Sequence, residues 1–169
     1  MTHTQPPWLR GPVDGILPLL QPVVHALIDA GEDVTKVVAP LSAQQTNARP
    51  GGAASIAYHV THAMGSLDRL FTYARSEPLS DAQMATLIAE KTRDLSSLAG
   101  SELAERFSAA LQRAFAQLRG TRESELLETR LVGRGKVPSN TLGLLFHAAE
   151  HTSRHVGQIV TTAKLVSAG

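Results

Sequence analysis

Cysteine is absent from all 169 residues. Its absence excludes disulfides, thiolate metal sites and a cysteine nucleophile, and it fits a cytoplasmic location. Aromatic residues make up only 4% of the chain. With alanine and leucine abundant, that scarcity favours closely packed helices. Neither sign of charge dominates: the formal net charge is +1, with acids and bases interspersed. No basic stripe of the kind a nucleic-acid binder carries is visible. No apolar run reaches the ~18 residues that cross a bilayer, so no membrane partner is expected. The N-terminus holds Pro6, Pro7 and Asp14 in place of a signal peptide. The length suits one domain with a real core.

Residues 1–12 read as an irregular N-terminal arm, with Trp8 and Leu9 available to pin it and a loose polar tip. Residues 13–169 read as a single helical domain. Apolar residues recur at helical spacing from Val13 to Ala30, with Gly31 as a stop and Pro18 and Pro22 making the start uncertain. A short apolar piece, Val34 to Leu41, leads into a Gly/Pro-rich loop. Ser55 caps a second strong helix to Ala74, where Asp68 and Arg69 can each reach a different helix. Ser80 and Gln83 form a capping box for a shorter helix. Another helix runs from Ser101 to Gly120. Thr121 to Pro138 reads as a charged loop whose Arg130, Arg134 and Lys136 are either solvated or hold an anion. Ser139 or Asn140 caps a last helix to about Val166. No segment asks to be a strand. The expectation is an all-α, four-helix bundle, up-down, with a long crossover loop over residues 31–54.

The chemistry concentrates in that last helix, where His147, His151 and His155 stand four residues apart. Each such step adds roughly 6 Å of rise. Adjacent pairs can grip one ion, but His147 and His155, about 12 Å apart along the axis, cannot share one. A third ligand must come from elsewhere, and His62 leads, with His59 three residues before it. Three neutral imidazoles suit Zn, Ni or Fe, and three ligands with an open position describe a catalytic centre. His147-Ala-Ala-Glu150-His151 also matches the inverted zinc-peptidase pattern, in which Glu150 is the general base. No extended substrate-binding strand accompanies it. Glu150 reads better as a proton carrier or as a group orienting a ligand histidine. His25 reads as a polar residue at the edge of an apolar face.

The segments Ser55-Ile-Ala-Tyr-His59-Val-Thr-His62-Ala-Met-Gly-Ser-Leu-Asp-Arg69, Leu131-Val-Gly-Arg-Gly-Lys-Val-Pro-Ser and Leu144-Leu-Phe-His147-Ala-Ala-Glu150-His151-Thr-Ser-Arg154-His155-Val-Gly157-Gln158-Ile resemble the DinB/YfiT-like superfamily over nearly the whole chain. The HxxxHxGQI ending is the most specific part. The resemblance implies a four-helix bundle with a divalent metal between helices, held by His62, His151 and His155. His59 and His147 are extra to that triad. Zn or Ni is the expected ion, with Fe or Mn as alternatives. Members similar to this chain include thiol-dependent transferases and isomerases, and small bundles of this kind are often homodimers.

Two classes of function follow. One is a metalloenzyme for a small-molecule substrate. It would activate a low-molecular-weight thiol for transfer to a small electrophile or, as an alternative, act as a metal-dependent hydrolase. The other is a non-catalytic metal-binding protein, which a fourth protein ligand such as His59 or His147 would favour. Arg130 or Arg134 is a candidate for holding a substrate carboxylate if its loop folds over the pocket.

Overall fold

A computed structural model describes residues 5–167. Six helices and one hairpin follow in order: α1 (Gln21–Val38), α2 (Ala43–Asn47), α3 (Ile56–Ala74), α4 (Asp81–Ala89), α5 (Gly100–Gly120), β1 (Thr129–Val132), β2 (Val137–Asn140) and α6 (Thr141–Ser167). The long helices α1, α3, α5 and α6 pack as an up-down bundle around one core. Phe107, Leu20, Leu27, Ile56, Leu103, Leu118, Leu126, Leu145 and Ile159 are its largest fully buried side chains. Burying an apolar side chain of this size stabilises the fold by roughly 1.5–3 kcal/mol. Among the described residues, no helix is long and apolar enough to cross a membrane.

The first helix differs from the sequence expectation at both ends. It starts at Gln21, not Val13. Pro18 opens a separate 3-10 turn, Pro18–Leu20, and Pro22 sits in the first turn of α1, where its missing N–H costs nothing. The Gln21 amide ties the preceding segment down, accepting from Val13 N at 2.7 Å and donating to Ile16 O at 2.9 Å. Gly31 does not stop the helix. Val34 and Val38 are fully buried and carry it on, and Gly31 is where α5 comes close: a Cβ there would stand 2.7 Å from Leu111 Cδ1. The crossover therefore begins after Val38 and holds the short α2.

The capping expectations hold. Ser55 accepts from Tyr58 N at 3.2 Å, and Ser80 and Gln83 form a reciprocal box. Of the two proposed caps for the last helix, Asn140 acts, its Oδ1 accepting from Gly143 N at 2.7 Å. The arm is not pinned as expected. Trp8 is 66% exposed, whereas Pro7 is buried and Arg10 pairs with Glu32 on α1. The tip expected to be loose, residues 1–4, lies outside the described residues.

The connector before α6 also departs from the all-loop expectation. Thr129–Val132 and Val137–Asn140 pair as an antiparallel ribbon with Leu131 opposite Pro138. Gly133 and Lys136 supply the left-handed conformations its turn needs. A lone two-stranded ribbon is marginal in water, and this one is anchored by Arg130. That guanidinium is buried, donating from Nε to Ala74 O at the end of α3 at 2.8 Å and from Nη2 to Glu128 at 2.9 Å. It answers an orphan helix carbonyl and is neither solvated nor free for a substrate. Ala74 lies twelve residues after His62 on α3, about 18 Å along the axis.

Candidate metal centre

Two helices supply the site. α3 carries His59 and His62, and α6 carries His151 and His155. Small or β-branched neighbours, Ala63 on α3 and Ala148, Ala149 and Thr152 on α6, are buried in the bundle. The Thr152 hydroxyl donates back to Ala148 O at 2.8 Å and needs no other partner. Such slim side chains let two helices approach while imidazoles stand between them.

One nitrogen from each of His62, His151 and His155 lies within 4.8 Å of the other two. His62 Nε2 and His151 Nε2 are 3.1 Å apart. Nitrogens bound to one ion at about 2.0–2.1 Å stand roughly 2.9–3.4 Å apart across angles of 90–109°, so this pair already has the spacing of neighbouring ligands. His59 takes a different place. It is buried, and its Nδ1 meets His155 Nδ1 at 3.0 Å. A ligand histidine commonly donates its second ring nitrogen to a partner, which orients the ring, and His59 can serve His155 in that way when His155 turns its Nε2 to the ion.

Burial sets the charge state. It pushes the His155 imidazole down to about 4, with His62, His151 and His59 adding repulsion. Burial first, and His62 second, also lower His151 and His59. Three of the four rings are therefore neutral at pH 7 and offer lone pairs, which metal binding requires. The donor set fits a divalent ion of the imidazole-preferring kind. These residues form a histidine cluster capable of coordinating such an ion.

The other histidines stand apart. His147 is 53% exposed in its side chain and lies 3.4 Å from Glu150, outside the three-nitrogen group. The inverted-peptidase pairing of His147 with His151 is therefore not the cluster that forms. His25, on α1, meets Gly11 O at 3.0 Å. Glu150 is on the solvent side, taken by Arg154, whose Nε donates to it at 3.1 Å. That hydrogen bond holds its carboxyl below the usual range.

The carboxylate that does reach a clustered histidine is Glu90, at the end of α4. Its Oε2 is 3.0 Å from His62 Nδ1, and its Oε1 is 3.4 Å from both terminal nitrogens of Arg69. The His62 Nδ1 atom is buried and has no aligned hydrogen bond. The carboxylate is within ion-pair reach but off the N–H line. Nothing around Ala89-Glu90-Lys91 in the sequence singles this glutamate out. Arg69 does reach another helix as expected, and so does Asp68, which accepts from Gln83 Nε2 at 2.7 Å.

Residues 26–159 match the family profile of the DinB superfamily. The fold is similar to that of a solved chain described as the conserved protein of a locus from Enterococcus faecalis. The TM-score is 0.68 at 19% identity, covering 90% of this chain and 99% of that one. At that identity the likeness speaks of fold alone. A comparison with curated proteins gives no match. The profile spans well over half of the sequence and takes in all four clustered histidines, and the chain belongs to the DinB superfamily.

Proposed function

We propose that this protein is a divalent-metal-dependent enzyme that holds Zn or Ni through His62, His151 and His155. Its reaction is the activation of a low-molecular-weight thiol for transfer to a small electrophile. The observation that carries the metal reading is the approach of three imidazole nitrogens from two helices to within 4.8 Å. A bound divalent ion makes a thiolate available near neutral pH. With no cysteine in the chain, an external nucleophile is the economical choice.

The surrounding residues support a small-molecule role. In this reading His59 orients His155 through the contact of their Nδ1 atoms, and the fourth position on the ion is left for the thiol. Glu150 leaves its pairing with Arg154 and takes the thiol proton on a carboxylate oxygen. A recess of about 630 Å³, lined in part by His59, Arg154, Gln158 and Leu165, meets the cluster at His59 and is lined by none of the three proposed ligands. Its volume is in the range of small-ligand sites.

A second reading keeps the ion and replaces the thiol with water. It is favoured by the partial solvent exposure of His62, His151 and His155. One comparison separates the two. Metal-loaded protein is assayed on chromogenic electrophiles with glutathione, bacillithiol or mycothiol, and on esters and amides without thiol. Turnover dependent on both metal and thiol is expected. Turnover only in the thiol-free panel overturns the transferase reading. Silence in both, with a fourth protein ligand on the ion, gives the site a non-catalytic role.

A further inference from the structure

We propose that Glu90 and Arg69 form an outer clamp that holds His62 for the ion, and that through Glu90 metal binding is coupled to the seating of α4. The inference rests on the metal reading above and extends it to an element that contributes no ligand.

Among the described residues α4 buries none of its side chains, and Leu87 and Ile88 are exposed. A helix of nine residues is not stable alone in water. With only Met84 and Ala89 of its apolar residues even partly buried, its place leans on polar contacts. Two groups hold it to α3. At its start, Gln83 Nε2 donates to Asp68 Oδ2 and to Thr72 Oγ1, at 2.7 and 2.8 Å. At its end, Glu90 meets His62 and Arg69. The Glu90 and Arg69 side chains are only 13% and 12% exposed, so their charges act in a partly dry environment where they count for more.

Gly65 lets this pair lie against α3. A Cβ there would stand 2.9 Å from Arg69 Nη1 and 3.3 Å from Glu90 Oε1. The carboxylate divides its work, with Oε1 towards the guanidinium and Oε2 towards His62 Nδ1. A proton on Nδ1, attracted by Oε2, leaves the His62 lone pair on Nε2, the nitrogen that faces His151. Glu90 also stands between a fixed cation and the place an added cation would occupy. Without its charge, Arg69 opposes the ion. Ligand-orienting carboxylates of this kind typically change metal affinity by about 10–100-fold.

The test uses the full chain and Glu90→Gln, with zinc as the probe. The variant is expected to bind zinc about 10–100-fold more weakly while remaining folded in its metal-free form. In hydrogen exchange, zinc is expected to slow exchange in residues 81–95 of the wild type and not in the variant. Nitrogen-15 spectra of the metal-free wild type should show His62 protonated on Nδ1. That preference should weaken in Glu90→Gln. Unchanged zinc affinity in the variant overturns the clamp, and exchange in 81–95 indifferent to zinc in wild type overturns the coupling. Wild type binding no zinc, nickel, iron or manganese overturns the metal reading itself. In that case the coupling falls with it, and His62 protonated on Nε2 in metal-free protein overturns the clamp independently.

Discussion

Between α1 and α5 the buried side chains are almost wholly aliphatic or aromatic: Val24, Leu27, Val34 and Val38 on one side, Leu103, Phe107, Leu111 and Leu118 on the other. Between α3 and α6 the same bundle adds four imidazoles to a seam whose buried residues include Val60, Leu145 and Ile159 as well as alanines and threonines. The first seam keeps its polar groups on the rim, where Asp29, Glu32 and Asp33 line an open groove. The second brings polar nitrogens inward and holds three of the four neutral by burial. One seam stabilises the bundle, and the other spends some of that stability on placing lone pairs. Loss of fold and loss of site should therefore be separable.

The largest expected effect breaks the stabilising seam. Phe107→Ala removes a fully buried ring and should cost about 3–5 kcal/mol in denaturant unfolding. Below the new transition its zinc stoichiometry should match wild type, and a lost site in still-folded protein would show that the seams are not independent. Next, His62→Ala, His151→Ala and His155→Ala should each weaken zinc binding by more than about 100-fold, beyond the range seen for outer partners. Calorimetry checks this, and an anomalous difference map would show the ligands directly. Full affinity in His155→Ala with loss in His147→Ala would restore the pairing of His147 with His151.

A smaller effect belongs to the ribbon. Arg130→Met leaves the Ala74 carbonyl without its donor and should cost about 1–3 kcal/mol, with zinc affinity unchanged. Acid sharpens the comparison further. The His155 value falls from 6.5 in the unfolded chain to about 4 in the folded one. As pH drops, the unfolded chain takes up the proton first. Stability of metal-free protein is therefore full above about 6.5, falls as pH falls towards 4, and levels off below. Urea midpoints between pH 7 and 4 should show this slope, and His155→Gln should reduce it, with His151 and His59 supplying what remains. A slope unchanged in the variant would assign the acid sensitivity elsewhere. The least effect is expected of His147→Ala and His25→Ala, whose zinc affinities should equal wild type.

The difference between the seams was only partly legible in the sequence. Four-residue histidine spacing on an amphipathic helix states that a pair shares a face, because the helical repeat is local and rigid. The caps at Ser55, Ser80 and Asn140 were readable for the same reason: each is settled within four residues. Gly31 misled, because whether glycine ends a helix depends on what lies beyond it. Here Val34 and Val38 had burial waiting for them, and Leu111 of α5 needed the space. The ribbon was missed because its strands are four residues each, too short for an alternating pattern, and are held by Arg130 from a distant helix end.

The sequence by itself determined the helical class, the main helices and the set of histidines from which the cluster is drawn. These follow from periodicity and from residue chemistry, which need no partner. The family resemblance already named His62, His151 and His155 as the set that meets; only the tertiary structure decided that His59 turns to His155 while His147 faces solvent, and that Glu90 and not Glu150 reaches the cluster. Those choices depend on the rotation and height at which α3, α4 and α6 pack. That arrangement is set by the summed burial of many side chains and is written in no single stretch of the chain.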